Sequence, residues 1–215
     1  MSRHHGATDC GHEGDSVPPP ASLRKEDEHY PASLARLLGD RALEVTFTWG
    51  DLDILRHKRI ALFCSIKCPG EQIIKAYDLA RNLRDTGKTV ISGFHSPMEK
   101  ECLTLLLRGE QPIIICPARS LENMRLPADW KRALGAGRLL LLSPFHRGRR
   151  ATVELAQERN AFVAALAHEA CFVHTTPGGN LEKLKSRVIQ WGIPILSLQD
   201  GDAFRGIEAE SNHGS

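Results

Sequence analysis

The sequence predicts an α/β protein: a doubly wound, Rossmann-like three-layer sandwich built on a mostly parallel sheet. Three observations carry that prediction. Strand-length apolar runs recur along the chain, at RIALFC (59–64), KTVIS (88–92), PIIIC (112–116), RLLLLS (138–143), ACFVHT (170–175) and PILSL (194–198). Between them lie longer segments, most with the apolar spacing of helices. The runs are continuously apolar rather than alternating, which suits strands buried on both faces of a parallel sheet. Strand and helix in alternation then imply right-handed crossovers with helices on both sides.

Taken in order, residues 1–28 are rich in His, Gly, Ser, Pro and charge, with PPP at 18–20, and read as a disordered leader. YPASLARLLGD opens the folded part with Leu34, Leu37 and Leu38 on one face of a short amphipathic helix. VTFTWGD (45–51) bends towards LDIL before the first long apolar run. The helical segments are EQIIKAYDLARNLRDTG, SPMEKECLTLLLRG, LPADWKRALGAG, TVELAQERNAFVAALAHE and NLEKLKSRVIQWG. Several stop at glycine, the residue that most readily adopts the left-handed conformation ending a helix. RGIEAESNHGS (205–215) reads as a flexible tail, which leaves one domain over 29–204.

A chain of 215 residues, 41% hydrophobic and 25% charged, has the balance of a globular domain with a real core. Its apolar runs are too short to span a bilayer, and no apolar stretch follows the charged N-terminus as in a secretory signal. The expectation is a cytoplasmic protein with no membrane contact. The net charge of +2 hides an asymmetry: residues 1–30 and 200–215 each carry −3, so the body carries +8. A basic body between acidic ends is the distribution of a phosphate-binding protein. The six cysteines form no CxxC pair and no zinc-type spacing, so a disulfide framework and a structural metal are not expected. Cys116 and Cys171 read as small buried hydrophobes, while Cys64 and Cys68 flank a loop in a C-x3-C spacing compatible with redox chemistry.

In doubly wound folds ligands bind beyond the carboxyl ends of the strands, where helix N-termini aim amide N–H groups at anions. The loop CSIKCPGE offers Ser65, Lys67 and Gly70 as a phosphate cradle, without the GxGxxG fingerprint of dinucleotide sites. SGFHSPME places Ser92 and Gly93 at a tight strand-to-helix turn, with Ser96 as cap and Pro97 in the first helical turn. CPARSLENMR carries Arg119 and SPFHRGRR carries Arg149 and Arg150, and guanidinium forks suit phosphate oxygens. HTTPGGNLEKL is the most specific: Pro177, Gly178 and Gly179 let backbone approach a ligand, and Asn180 is positioned to cap the next helix. Upstream, Arg159 and Asn160 begin ERNAFVAALA, and Arg159 and Glu182 are candidates to face one pocket. Aromatics total 6%, so base stacking would fall to residues such as Phe94, Phe145 and His146.

YPASLARLLGD, LEVTFTWGDLDIL, KRIALFCSIKCPG, KTVISGF and RRATVELAQERNAFVAALAHEACFVHTTPGGNLEKL together resemble the Rossmann core of the DNA-processing protein A family (DprA, or Smf), over about residues 30–200. Cys64 and Ile66 stand where that family has the Gly and Arg of Gly-Ser-Arg, leaving Ser65, with Lys67 as a substitute cation. The resemblance implies binding of single-stranded DNA or a nucleotide at the strand ends, a role in DNA uptake and recombination, a recombinase partner and a homodimer. HTTPGGNLEKL is also similar to the PGG-x-GT-x-x-E motif of the LOG family of phosphoribohydrolases, with its Gly-Thr missing. That likeness implies an alternative, release of a base from a nucleoside monophosphate with Arg159 holding phosphate and Glu182 as the catalytic carboxylate, or a nucleotide sensor without turnover. No cofactor is expected under either reading, and the leaning is towards a non-enzymatic protein.

Overall fold

The structure, a computed structural model, describes residues 19–42, 44–146 and 152–197. Strands β1 (Ala21–Arg24), β2 (Val45–Gly50), β3 (Arg59–Cys64), β4 (Thr89–Ser92), β5 (Ile113–Ile115), β6 (Leu139–Ser143), β7 (Glu169–His174) and β8 (Ile195–Leu196) form one sheet. Their order is β1-β2-β6-β5-β4-β3-β7-β8. The six strands from β3 to β8 are parallel, and β1 and β2 add an antiparallel edge beside β6. The expected parallel core is therefore present. Within the stretch 1–28 read from composition as a leader, Ala21–Arg24 is a strand that pairs with Val45–Thr48 and buries Leu23, while residues 1–18 lie outside the described residues. A polar edge strand has no apolar run to announce it, since its backbone is satisfied by its neighbour and one side chain supplies its core contact. The tail at 205–215 lies outside the described residues.

The helices are α1 (Ala32–Leu38), α2 (Gly70–Asp85), α3 (Pro97–Leu106), α4 (Ala128–Gly135), α5 (Val153–Leu166) and α6 (Asn180–Gln190). Alternate residues of the strands face opposite layers. Ala61, Phe63, Ile91, Ile114, Leu140 and Leu142 pack with α1, α5 and α6. Ile60, Leu62, Val90, Ile113, Ile115, Leu139 and Leu141 pack with α2, α3 and α4. Phe63 stacks on Phe172 across the β3–β7 seam at 5.0 Å between ring centroids. Each fully buried side chain of this size contributes roughly 1.5–3 kcal/mol by leaving water, so both layers need continuously apolar strands.

Local signals set the element ends. Ser96 accepts a hydrogen bond from Glu99 N while the Glu99 carboxylate accepts from Ser96 N, and Pro97 fills the first position of α3. Thr152 caps α5 by accepting from Leu155 N. At the foot of β3 the buried Arg59 donates to the carbonyls of Leu166, Leu55 and His57, closing the last turn of α5. Burial there lowers its pKa to about 10.

Candidate functional site

The sheet reverses direction of growth between β3 and β7. After β3 the chain enters α2 on one face, and after β7 it enters α6 on the other. The loops at 65–69 and 175–179 therefore diverge at a topological switch point, the place where doubly wound sheets open a crevice. Ser65 ties the two together: its N–H donates to His174 O at 3.0 Å and its Oγ accepts from Thr176 N at 3.1 Å. Lys67 is exposed on the same loop. Gly70 begins α2 with open space where a Cβ would stand, so it cradles nothing in this structure.

The Pro-Gly-Gly segment is a tight turn. Gly179 N donates to Thr176 O at 2.9 Å, Pro177 occupies the first corner, and Gly178 has φ +72°. This is the type II pattern, which requires a left-handed residue at the second corner. A Cβ on Gly179 would lie 2.8 Å from Thr176 O, so both glycines are dictated by backbone. Gly179, not Asn180, holds the cap position of α6, and Asn180 is its first helical residue, correcting the expected cap. The side chain that serves the helix start is Glu182, whose Oε2 accepts from Gly178 N at 2.6 Å. Glutamate three residues past the cap does this because the helix N-terminus presents unpaired N–H groups.

At the crest of β4, Ser92 is fully buried; its Oγ donates to Leu62 O at 2.7 Å and accepts from Phe94 N. Ser143 does the same at the crest of β6, donating to Arg119 O at 2.6 Å and accepting from Phe145 N. Both serines are thus spent on turning the chain out of the sheet. Phe94 sits at φ +46°, a strained left-handed conformation held by these bonds and its own burial. Phe94 and Phe145 are both buried, so neither offers a ring to a base. His146 is exposed, packed edge-on against Phe47 at 4.7 Å.

Arg159 reaches from α5 over the crests of β4 and β5. It is only 3% exposed, and its Nη1 donates to Cys116 O at 3.3 Å while its buried Nε has no partner. The guanidinium lies directly on Gly93: a Cβ there would sit 1.3 Å from Nη1. Gly93 is thus required by close approach of a side chain. Burial pushes the Arg159 pKa down, and the nearby Glu99 carboxylate pulls it back up. Glu99 is the residue that sequence reading missed. Its Oε1 accepts from Cys64 N at 3.0 Å, and its Oε2 accepts from His95 N and Ser96 N, so one buried carboxylate binds the crests of β3 and β4. The signal was present as Ser96-x-x-Glu99, a capping box. The carboxylate facing Arg159 is thus Glu99, whereas Glu182 is engaged at the β7 crest.

Asn160 and Asn180 do come together, in a groove of about 550 Å³ between α5 and α6 that Pro144 and Phe145 close at the top. Lys183 and Arg187, one helical turn apart on α6, line the same groove opposite Glu154, Glu158 and Asp40. Arg119 is exposed on the loop after β5, and Arg149 and Arg150 lie outside the described residues. Among the described residues, no group of three or more His, Cys, Asp or Glu is arranged to hold a metal ion, and no helix is long and apolar enough to cross a membrane.

The family model of DNA recombination-mediator protein A matches residues 21–185. The chain belongs to that family. The DNA recombination-mediator protein A match begins at β1 and ends within α6, so it takes in the antiparallel edge, the crest loops and the switch point. The fold is shared with DNA processing protein A from Streptococcus pneumoniae (TM-score 0.69, 19% identity, 86% of this chain and 65% of that one). It is shared also with DNA processing protein A from Helicobacter pylori (TM-score 0.64, 16% identity, 82% of this chain and 79% of that one), a structure described for its single-stranded DNA binding mode. This chain thus spans somewhat under two thirds of the pneumococcal protein. No curated protein matches it.

Proposed function

We propose that this protein binds single-stranded DNA at the carboxyl ends of its parallel strands, in the cytoplasm and without catalysing a reaction, in the service of DNA uptake and recombination. The observation that carries the proposal is the distribution of charge at the switch point of a DNA recombination-mediator protein A fold. Lys67 and Arg119 are exposed on the crest loops, and Lys183 and Arg187 line the adjoining groove, where Glu154, Glu158 and Asp40 face them. Of the acidic side chains at the crest, Glu99 is buried on three backbone amides beside Arg159, and the exposed Glu182 is engaged on Gly178 N. Such an arrangement leaves the exposed cations of the crest loops to meet phosphates, while Glu99 and Glu182 are engaged on the protein's own backbone.

A phosphoribohydrolase reading would need Arg159 and Glu182 to act on one substrate, and the structure gives Arg159 a different carboxylate. The recombinase partner and self-association belong to the same proposal as features implied by the family. Light scattering and pull-down with a RecA-type recombinase test them separately. The direct test is anisotropy of a labelled oligonucleotide across salt. Affinity should fall with a log–log slope of about −0.7 per phosphate contact, and Lys67→Ala should flatten the slope by about one contact. Binding that ignores salt, or is absent at low salt, refutes the proposal.

A further inference from the structure

The β3–α2 loop holds a pair of cysteines that the proposed function does not use. Cys64 ends β3, is buried, and has its backbone N–H fixed by Glu99 Oε1 at 3.0 Å. Four residues later on the same loop Cys68 is half-buried, with its Sγ donating to Pro69 O at 3.8 Å, and its thiol is near enough to that of Cys64 to help push the Cys64 pKa up. All five cysteines of the described residues are free, and Cys68 is the one among them with solvent access. Burial pushes the Cys102, Cys116 and Cys171 thiols up to about 12, and drives that of Cys64 up as well. Those four are poor first nucleophiles, because the thiolate is the reactive form.

We propose that Cys64 and Cys68 form a reversible intramolecular disulfide, which makes the β3–α2 loop an oxidation site for peroxide-class oxidants. An oxidant arriving from solvent meets Cys68 first. The Cys68 sulfur attacks one peroxide oxygen, the O–O bond breaks, and sulfenic acid and water form. The Cys64 sulfur then attacks that of Cys68; the S–O bond breaks, the hydroxyl leaves with the Cys64 proton as a second water, and an S–S bond forms. Two thiols and one peroxide thus give one disulfide and two waters, with two electrons passing from sulfur to oxygen. Closure to an S–S bond of about 2 Å draws the two sulfurs of this short loop together. The mobile partner is Cys68, since Ile66 and Lys67 beside it are exposed while Cys64 is anchored in the sheet. The ring encloses Lys67, so oxidation fixes the loop that presents this cation at the crest.

Lys67 makes the test direct, because trypsin cleaves between the two cysteines. The full-length protein is treated with hydrogen peroxide, its remaining thiols are alkylated, and it is digested without reductant. Peptides 60–67 (IALFCSIK) and 68–75 (CPGEQIIK) should be recovered joined, lighter than their sum by two hydrogens, and should separate with dithiothreitol. Cys68→Ser should abolish the joined species and Cys102→Ser should leave it intact, with circular dichroism verifying that both variants fold. Recovery of both peptides singly alkylated after oxidation overturns the proposal. So does a bond from 68–75 to 101–108 (ECLTLLLR), or to 68–75 of a second copy. None of these readings depends on whether the crevice binds DNA.

Discussion

Gly93→Ala is the perturbation whose cost the structure defines most sharply. The added Cβ would lie 1.3 Å from Arg159 Nη1, 1.9 Å from Cζ and 2.6 Å from Nε. No rotation of the methyl relieves this, so the guanidinium must leave its seat. Leaving breaks the bond to Cys116 O and separates a buried cation from Glu99. A hydrogen bond to a charged group is worth about 1.5–3 kcal/mol, and leaving a buried charge without its compensating partners costs up to about 3–5 kcal/mol. The two overlap, and partial relaxation of α5 recovers some of the loss, so the expected destabilisation is about 3–4 kcal/mol. For a chain of this size that lowers Tm by roughly 10 °C. The assay is urea and thermal unfolding of four proteins in a cycle: wild type, Gly93→Ala, Arg159→Ala and the double variant. With the guanidinium gone, the new methyl enters vacated space, so Gly93→Ala should cost under about 1 kcal/mol in the Arg159→Ala background, a coupling of at least 2 kcal/mol. Gly70→Ala is the control and should shift stability by no more than about 0.5–1 kcal/mol, because nothing stands within 4 Å of that position. Additive effects in the cycle, or a Gly93→Ala protein as stable as wild type, would refute the claim that Arg159 dictates Gly93.

Further outcomes follow from neighbouring groups. Glu99→Gln replaces two accepting oxygens by one, so it strands at least one of the amides of Cys64, His95 and Ser96 and removes the charge beside Arg159; urea unfolding should show a loss of about 2–4 kcal/mol. Gly179→Ala forces a Cβ against Thr176 O, opening the turn before α6, and should weaken oligonucleotide binding more than it lowers Tm. At the opposite end of the sheet, His168 Nδ1 accepts from Arg59 N at 3.1 Å, and desolvation, then Arg59 and Lys58, lower its pKa below the ordinary 6.5. The unfolded chain therefore takes up this proton first. The stability contributed by neutral His168 is complete above about pH 6.5 and is lost as pH falls from there through the lowered folded value. Melting temperatures measured from pH 7.5 down to 5 should fall, and His168→Gln should reduce the slope.

The comparison of Ser92 with Ser65 shows where sequence reading stops. Both are serines directly at or after an apolar strand, and both look equally suited to a phosphate. Their surroundings separate them: Ser92 is fully buried with its hydroxyl committed to Leu62 O and Phe94 N, whereas Ser65 is half-buried and bridges two loops at the switch point. Phe94 and Phe145 follow the same logic, since an aromatic two residues past a strand reads as a loop residue until the turn folds it inward. Lys183 and Arg187 were not singled out from the sequence, because the groove they line exists only through the position of α5.

What the sequence determined by itself is the architecture. Apolar runs such as RLLLLS must be hidden from water on both sides, helical spacing provides the covering layers, and a chain that alternates the two winds into a parallel sheet. It also singled out Pro177, Gly178 and Gly179 as backbone open to a ligand, and the structure shows that stretch as a type II turn. Tertiary structure alone decided which charges meet. Arg159 and Glu99 are sixty residues apart and belong to helices on opposite faces of the sheet, and they share a site only because β4 and β5 end beneath both. It likewise decided that Ala21–Arg24 is a strand, since an edge strand is specified by the backbone of its neighbour and scarcely by its own side chains.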